Sequence, residues 1–279
     1  MKNILKIMLM MITIFTIAGS AVYAAEIPVS DQDQLITSSD WTEISNLQDE
    51  MKKEEPDATI DYDKALKVYV DCNLIKLQTA DTKKLTSALE SANYVWVIPF
   101  KMEKTYGMFT VAKGLPLREE AKSVLTKAEQ EEVKNHAGKW MITEIAEHTV
   151  EPYYDILLEK REALSDCTRV VLVGSQPGMR QPVALGMDDE TARIWISLGY
   201  QYPVMEKIPE TQNVESGVYS FESVAEISDT YIEDSEVSTG AGVQSRSSMK
   251  YVAGIGIIVI GSIIILSVLK KKKLEQSGE

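Results

Sequence analysis

Between residues 64 and 203 the apolar positions change period repeatedly, and each change marks an element. Over residues 65–77, Leu66, Val68 and Val70 alternate with polar positions and lead into Leu74, Ile75 and Leu77, which predicts a strand. Leu85, Ala88, Leu89 and Ala92 then recur at helical spacing behind Asp81, whose carboxylate can cap a first turn. Residues 94–100 and 106–112 read as two strands around the charged turn at 101–104, hence a hairpin. Leu117, Ala121, Val124, Leu125, Ala128 and Val133 predict a longer amphipathic helix stopped at Gly138. A strand over 139–145, a helix over 151–164 with Pro152 in its first turn, and strands over 168–174, 182–185 and 192–198 complete the series.

This order predicts an α+β fold: one domain at 64–203, built as an antiparallel sheet with helices packed on one face. It also reads as two successive β-α-β-β units, with first strand and second strand about 27 residues apart in one and about 29 in the other. Some 140 residues suffice for one ordinary core.

The flanks have a different composition. Ser, Asp, Gln and Glu dominate residues 25–63 around one short helix over 41–53, begun by Ser39 or Asp40, so this segment is expected to be a loosely ordered N-terminal arm. Residues 204–250 hold nine acids against two basic residues between positions 206 and 248. Such a composition buries too little apolar surface to offset ordering entropy, which predicts a disordered acidic stalk. The patch at 218–224 leaves an alternative open there, a late strand docked on the body.

The two ends speak of location. Lys2 and Lys6, an apolar run over 7–18 and the small-x-small sequence Val22-Tyr23-Ala24 read as a signal peptide at 1–24. Residues 251–269 carry no charge, and at about 1.5 Å per residue a helix of that length matches the hydrocarbon thickness of a bilayer, so one transmembrane helix is expected. The basic tail at 270–279 opens with Lys270, Lys271, Lys272 and Lys273, against only Lys250 and Arg246 on the other flank, which puts the C-terminus in the cytoplasm and the body outside. The helix partners membrane lipid, and the chain is expected in the cell membrane as a single-pass protein.

A signal peptide followed at the other end by an apolar span and a basic tail resembles the surface proteins of Gram-positive bacteria, which sortases cut at Leu-Pro-x-Thr-Gly. The resemblance covers about the last forty residues. Glu236-Val237-Ser238-Thr239-Gly240 keeps the Thr-Gly, lacks the Leu-Pro and stands a further ten residues from the span, so a retained helix is the reading preferred over a sortase cut near Thr239. The resemblance implies display at the cell surface.

Charge narrows the partners. The whole chain carries a net −13; without the signal and tail, 23 basic face 40 acidic residues, a net of −17. An acidic surface with dispersed Lys and Arg repels polyanions, so nucleic acid is not an expected partner. A protein or envelope component is.

Candidate chemistry is sparse. Cys72 and Cys167 are the only cysteines of an exported body and are weighed as a disulfide against two unrelated thiols. His136 and His148 lack His-Glu-x-x-His spacing, and Glu131, Glu132, Glu144, Glu147 and Glu151 beside them do not complete a zinc set. Gly174-Ser175-Gln176-Pro177-Gly178 misses the Gly-x-Ser-x-Gly of a nucleophile elbow and suits a turn. Ser247-Ser248-Met249-Lys250 meets Ser-x-x-Lys only formally, and Asp188-Asp189-Glu190 lacks calcium-loop spacing and is expected to tip a hairpin. Trp96, Trp140 and Trp195, with Tyr200 and Tyr202, are read as core before a ligand platform. No catalytic, cofactor or metal residue is therefore assigned. The expected function is a non-enzymatic extracellular binding domain of a bacterial cell envelope. Two alternatives stay open: an envelope-polymer hydrolase using carboxylates such as Glu144, Glu147 or Asp155, or an accessory subunit of a membrane transporter or sensor.

Overall fold

A computed structural model of the chain describes residues 27–148, 151–174, 176, 179, 181–199, 205–208 and 213–227. The signal peptide at 1–24, the stalk beyond 227, the expected span at 251–269 and the basic flank of Lys250 and Lys270 to Lys273 lie outside the described residues. Among the described residues no helix is long and apolar enough to cross a membrane.

Among the described residues ten strands form one sheet: β1 Thr59–Ile60, β2 Leu66–Val70, β3 Asn93–Lys101, β4 Tyr106–Lys113, β5 Trp140–His148, β6 Arg169–Val173, β7 Val183–Met187, β8 Ala192–Ser197, β9 Asn213–Glu215 and β10 Val218–Ser220. Nine lie side by side in the order β5-β4-β3-β2-β6-β7-β8-β10-β9, and β1 continues the line of β2 by pairing Ile60 with Phe100 at the end of β3. Among the described strands every pairing is antiparallel except β2 with β6, where Val68 meets Leu172 and Tyr69 meets Val173. The fold is α+β with a mostly antiparallel sheet. Its two antiparallel halves meet at that one parallel seam.

The helices are short: α1 Trp41–Ile44, α2 Gln48–Glu54, α3 Thr82–Glu90, α4 Glu119–Lys122, α5 Lys127–His136, α6 Tyr153–Glu159 and a last helix, α7, over 221–227. Helix α3 forms as its sequence predicts: Asp81 accepts the Lys84 amide, and Leu85 and Leu89, one turn apart, are buried. The long helix expected over 117–133 is instead broken into α4 and α5. Thr126 and Glu129 build a capping box there that starts a new helix, and Val124 in the break stands 79 % exposed. No described residue of α5 is buried, so its apolar spacing did not find a core. Gly138, at φ 75°, then turns the chain back, and its amide bonds the Gly114 carbonyl at 2.8 Å to close the base of this excursion.

The strand expected over 65–77 ends at Val70. Asp71 adopts a left-handed φ of 59° and the chain curls into a 3-10 turn, Ile75–Leu77, so that Leu74 and Ile75 drop into the core. The two equivalent β-α-β-β units are also corrected. In the first, β2-α3-β3-β4, successive strands are neighbours; in the second, β5 pairs with β4 at the sheet edge and α6 carries the chain back to the centre, where β6 pairs with β2.

Helices cover both faces, not one. Alternation along the strands sends Val171, Val173, Val183, Leu185, Trp195 and Tyr219 to one face beneath α3 and α7. Their neighbours Leu172, Ala184, Ile196 and Val218 point to the opposite face and meet Tyr153 and Leu157 of α6. The crossover through α6 requires this, because a chain returning from the edge must run over a face. On the first face, but over the β3-β4-β5 half, a further core gathers Trp96, Ile98, Phe100, Phe109 and Val111. It is roofed by the N-terminal segment: Leu35, Ile44 and Met51 are 0 % exposed. The segment read as a loose arm packs, because its few apolar residues are spaced to meet that face. Val218 and Phe221 likewise dock, which realises the late strand, so the start of the segment read as a disordered stalk over 204–250 packs on the body because Met205, Ile208, Phe221 and Val224 find the core under α3.

Candidate functional site

Two features stand out: a buried charged cluster in the sheet face, and an open groove at one end. The cluster lies between the two cores of the first face. Lys67 and Tyr69 of β2 sit opposite Trp96 and Tyr94 of β3, so all four side chains share that face, and Arg169 enters from β6. The N-terminal segment lowers two aspartates onto them. Asp33, 2 % exposed, accepts from Ser30 Oγ at 2.6 Å, Tyr69 Oη at 2.7 Å and Arg169 Nη2 at 3.1 Å. Lys67 Nζ stands 3.7 Å from its Oδ1.

Asp40 is the second. Its Oδ2 accepts from Tyr94 Oη at 2.8 Å and Trp96 Nε1 at 3.0 Å. The sequence places Asp40 as a helix cap, yet its side chain makes no capping bond to α1 and turns inward to the sheet. Lys67 lies over three rings, 4.6 Å from the centroid of Tyr94, 5.2 Å from Trp96 and 5.8 Å from Tyr69. Asp33 thus meets two cations, one of them set among three aromatic rings, which balances its charge where little water reaches, while Asp40 is held by the Tyr94 hydroxyl and the Trp96 indole. Burial lowers the pKa of Lys67 against the pull of Asp33 and Asp40, and burial beside Asp33 pushes that of Tyr69 up. Burial, with the bond to Asp40 adding to it, raises that of Tyr94.

The groove, about 910 Å³, opens between the 3-10 turn after β2, the start of β8 and α7. Ile75, Ala80, Phe221 and Ala225 give it apolar patches, while Arg193 and Glu222 give it charge.

Cys72 and Cys167 are both free thiols. Cys72 packs against the core under α3 and Cys167 against the core under α6, on opposite faces of the sheet, so the disulfide is not made. Burial pushes both thiols up to about 11. His136 ends α5 with Nδ1 buried and without a hydrogen-bond partner; the side chains of His148 and Glu147 lie outside the description. Among the described residues no group of His, Cys, Asp or Glu is arranged to hold a metal. Glu144 is exposed on β5, and Asp155 is paired with Lys64 at 2.8 Å.

Asp188 accepts the amides of Glu190 and Thr191 and pairs with Arg193, so it tips the β7-β8 hairpin as expected. Trp96, Trp140 and Trp195 are core; Tyr200 and Tyr202 lie outside the described residues. Ser175, Pro177 and Gly178 are outside too, but Gln176 is buried and does unforeseen work. Its amide group receives the Leu74 N–H at 3.1 Å and donates to the carbonyls of Cys72 and Gly174, tying the turn after β2 to the turn after β6. Sequence reasoning missed Asp33, Asp40, Lys67 and Arg169 as well. The signal that could have found them is Lys67 in an otherwise apolar strand, a cation that needs a buried counter-charge. No family model, no curated protein and no solved structure matches this chain.

Proposed function

We propose that the chain is a single-pass, membrane-anchored protein of a bacterial cell surface whose body acts outside as a binding module for a protein or envelope component. One observation carries this reading: an uncharged run at 251–269 is followed at once by Lys270 to Lys273, in a chain that begins with an export-type sequence. The acidic exterior keeps such a body soluble and turned away from polyanions. The groove beside α7 is the surface proposed to take the partner, and an extended peptide or polymer strand is the class of ligand its open shape suits.

Epitope tags placed after residue 25 and at the C-terminus test the topology on intact cells. External protease is expected to remove the first tag and spare the second, with the full chain resisting carbonate extraction from membranes. Protection of both tags, or release of the chain to the medium, refutes the anchor. Ala225→Arg, which plants a bulky cation in the groove, then tests the module. It should abolish retention of an envelope fraction that the unaltered body enriches, and equal retention by both forms refutes the groove.

A further inference from the structure

We propose that Lys67 and Asp33 are joined by an amide bond, formed by the folded chain itself, that staples the N-terminal segment to the central strand. The observations are local. Lys67 Nζ lies 3.7 Å from Asp33 Oδ1, inside a box of three aromatic rings, on a side chain 11 % exposed opposite one that is 2 % exposed. An ammonium and a carboxylate desolvated together can lower their charge by passing a proton, which leaves an amine and a carboxylic acid, the two reactants of amide formation. Burial lowers the pKa of Lys67, the direction that favours the nucleophilic free amine.

The neighbours are placed to serve each later step. Attack of Nζ on the Asp33 carboxyl carbon forms the C–N bond and drives negative charge onto Oδ2, where Arg169 Nη2 already donates at 3.1 Å and Ser30 Oγ at 2.6 Å. Arg169 Nε, on the same edge of the guanidinium, is buried without a hydrogen-bond partner and is a spare donor for that charge. Tyr69 Oη donates to Oδ1 at 2.7 Å and can relay a proton to it as the C–Oδ1 bond breaks. The ammonium gives up two protons in all, both to Oδ1, which departs as water; no oxidant, cofactor or activating group is consumed. Dry surroundings keep the amide from hydrolysing.

The staple would close a loop from residue 33 to residue 67 and fix the segment that roofs the β3-β4-β5 core. Tryptic mapping of the purified full chain, as cells make it, tests this directly. Trypsin does not cut after an acylated lysine, so residues 65–76 should appear as one peptide branched to the peptide that contains Asp33 and ends at Lys52, lighter by one water than their sum. Lys67→Arg keeps the cation and cannot close the amide; trypsin then cuts at position 67, so residues 65–67, residues 68–76 and the Asp33 peptide should appear separately. Recovery from the unaltered chain of residues 68–76 and of the Asp33 peptide, unlinked and at full mass, overturns the proposal. So does a water loss that persists in Lys67→Arg, as a succinimide at an aspartate would give.

Discussion

Asp40 carries a heavy share of the docking of the N-terminal segment, and its removal can be costed from its bonds. Asp40→Ala strips the acceptor from Trp96 Nε1, which is fully buried, and from Tyr94 Oη, which is half-buried. A buried donor left without an acceptor costs about 1 to 3 kcal/mol. Tyr94 can turn toward water and recover part of its share, so the loss is expected at about 2 to 4 kcal/mol, a large fraction of a typical domain's stability. Asp40→Asn keeps one acceptor oxygen and should lose about half as much. Urea titration followed by tryptophan fluorescence reads both, because Trp41, Trp96 and Trp140 report on this core. Hydrogen exchange over residues 31–47 should accelerate in step. An Ala variant within about 0.5 kcal/mol of the parent, or an Asn variant as damaged as Ala, would refute the reasoning, since buried donors cannot be abandoned without cost.

Three further expectations follow from the geometry. Gly107 lies under the Phe100 ring, and a Cβ there would sit 2.1 Å from Phe100 Cζ, so Gly107→Ala should cost about 1 to 3 kcal/mol and Phe100→Leu in the same chain should restore part of it. Thiol titration should count two free cysteines in the unreduced, denatured chain and almost none reacting quickly in the native chain near neutral pH, because both thiols are held protonated; a single disulfide would show as zero. Tyr69 and Tyr94 have raised pKa values in the folded state, so they hold their protons more tightly folded than unfolded. Their contribution is whole below about pH 10 and falls away as pH climbs above it, and Tyr94→Phe should flatten that alkaline decline in thermal melts.

Local pattern proved a sound guide wherever an element's partners were near it in the chain. The hairpin of β3 and β4, with Met102 bonded to Thr105 across its turn, was legible from alternation and a charged turn. Helix α3 was legible from Asp81 and two leucines. The excursion at 117–133 was misread because periodic apolar residues say only that a face exists, and Val124 found nothing to pack against. The arm at 25–63 was misread for the converse reason: Leu35, Ile44 and Met51 are too sparse to signal a core alone, yet they complete one begun by β3 and β4. Lys67 was passed over because its partner Asp33 stands 34 residues earlier, in a segment of ordinary polar composition.

The sequence by itself determined most strands of the body, the helix capped by Asp81, the acidic charge and the apolar run near the end, because each depends on the order of neighbouring residues. Only the tertiary structure decided that β2 and β6 meet in parallel, that helices lie on both faces, that the two cysteines stay apart, that Asp33 finds Lys67 and Arg169, and that Asp40 finds Tyr94 and Trp96. Those are pairings between distant parts of the chain, and what selects them is burial, which no stretch of sequence experiences until the whole sheet has closed around it.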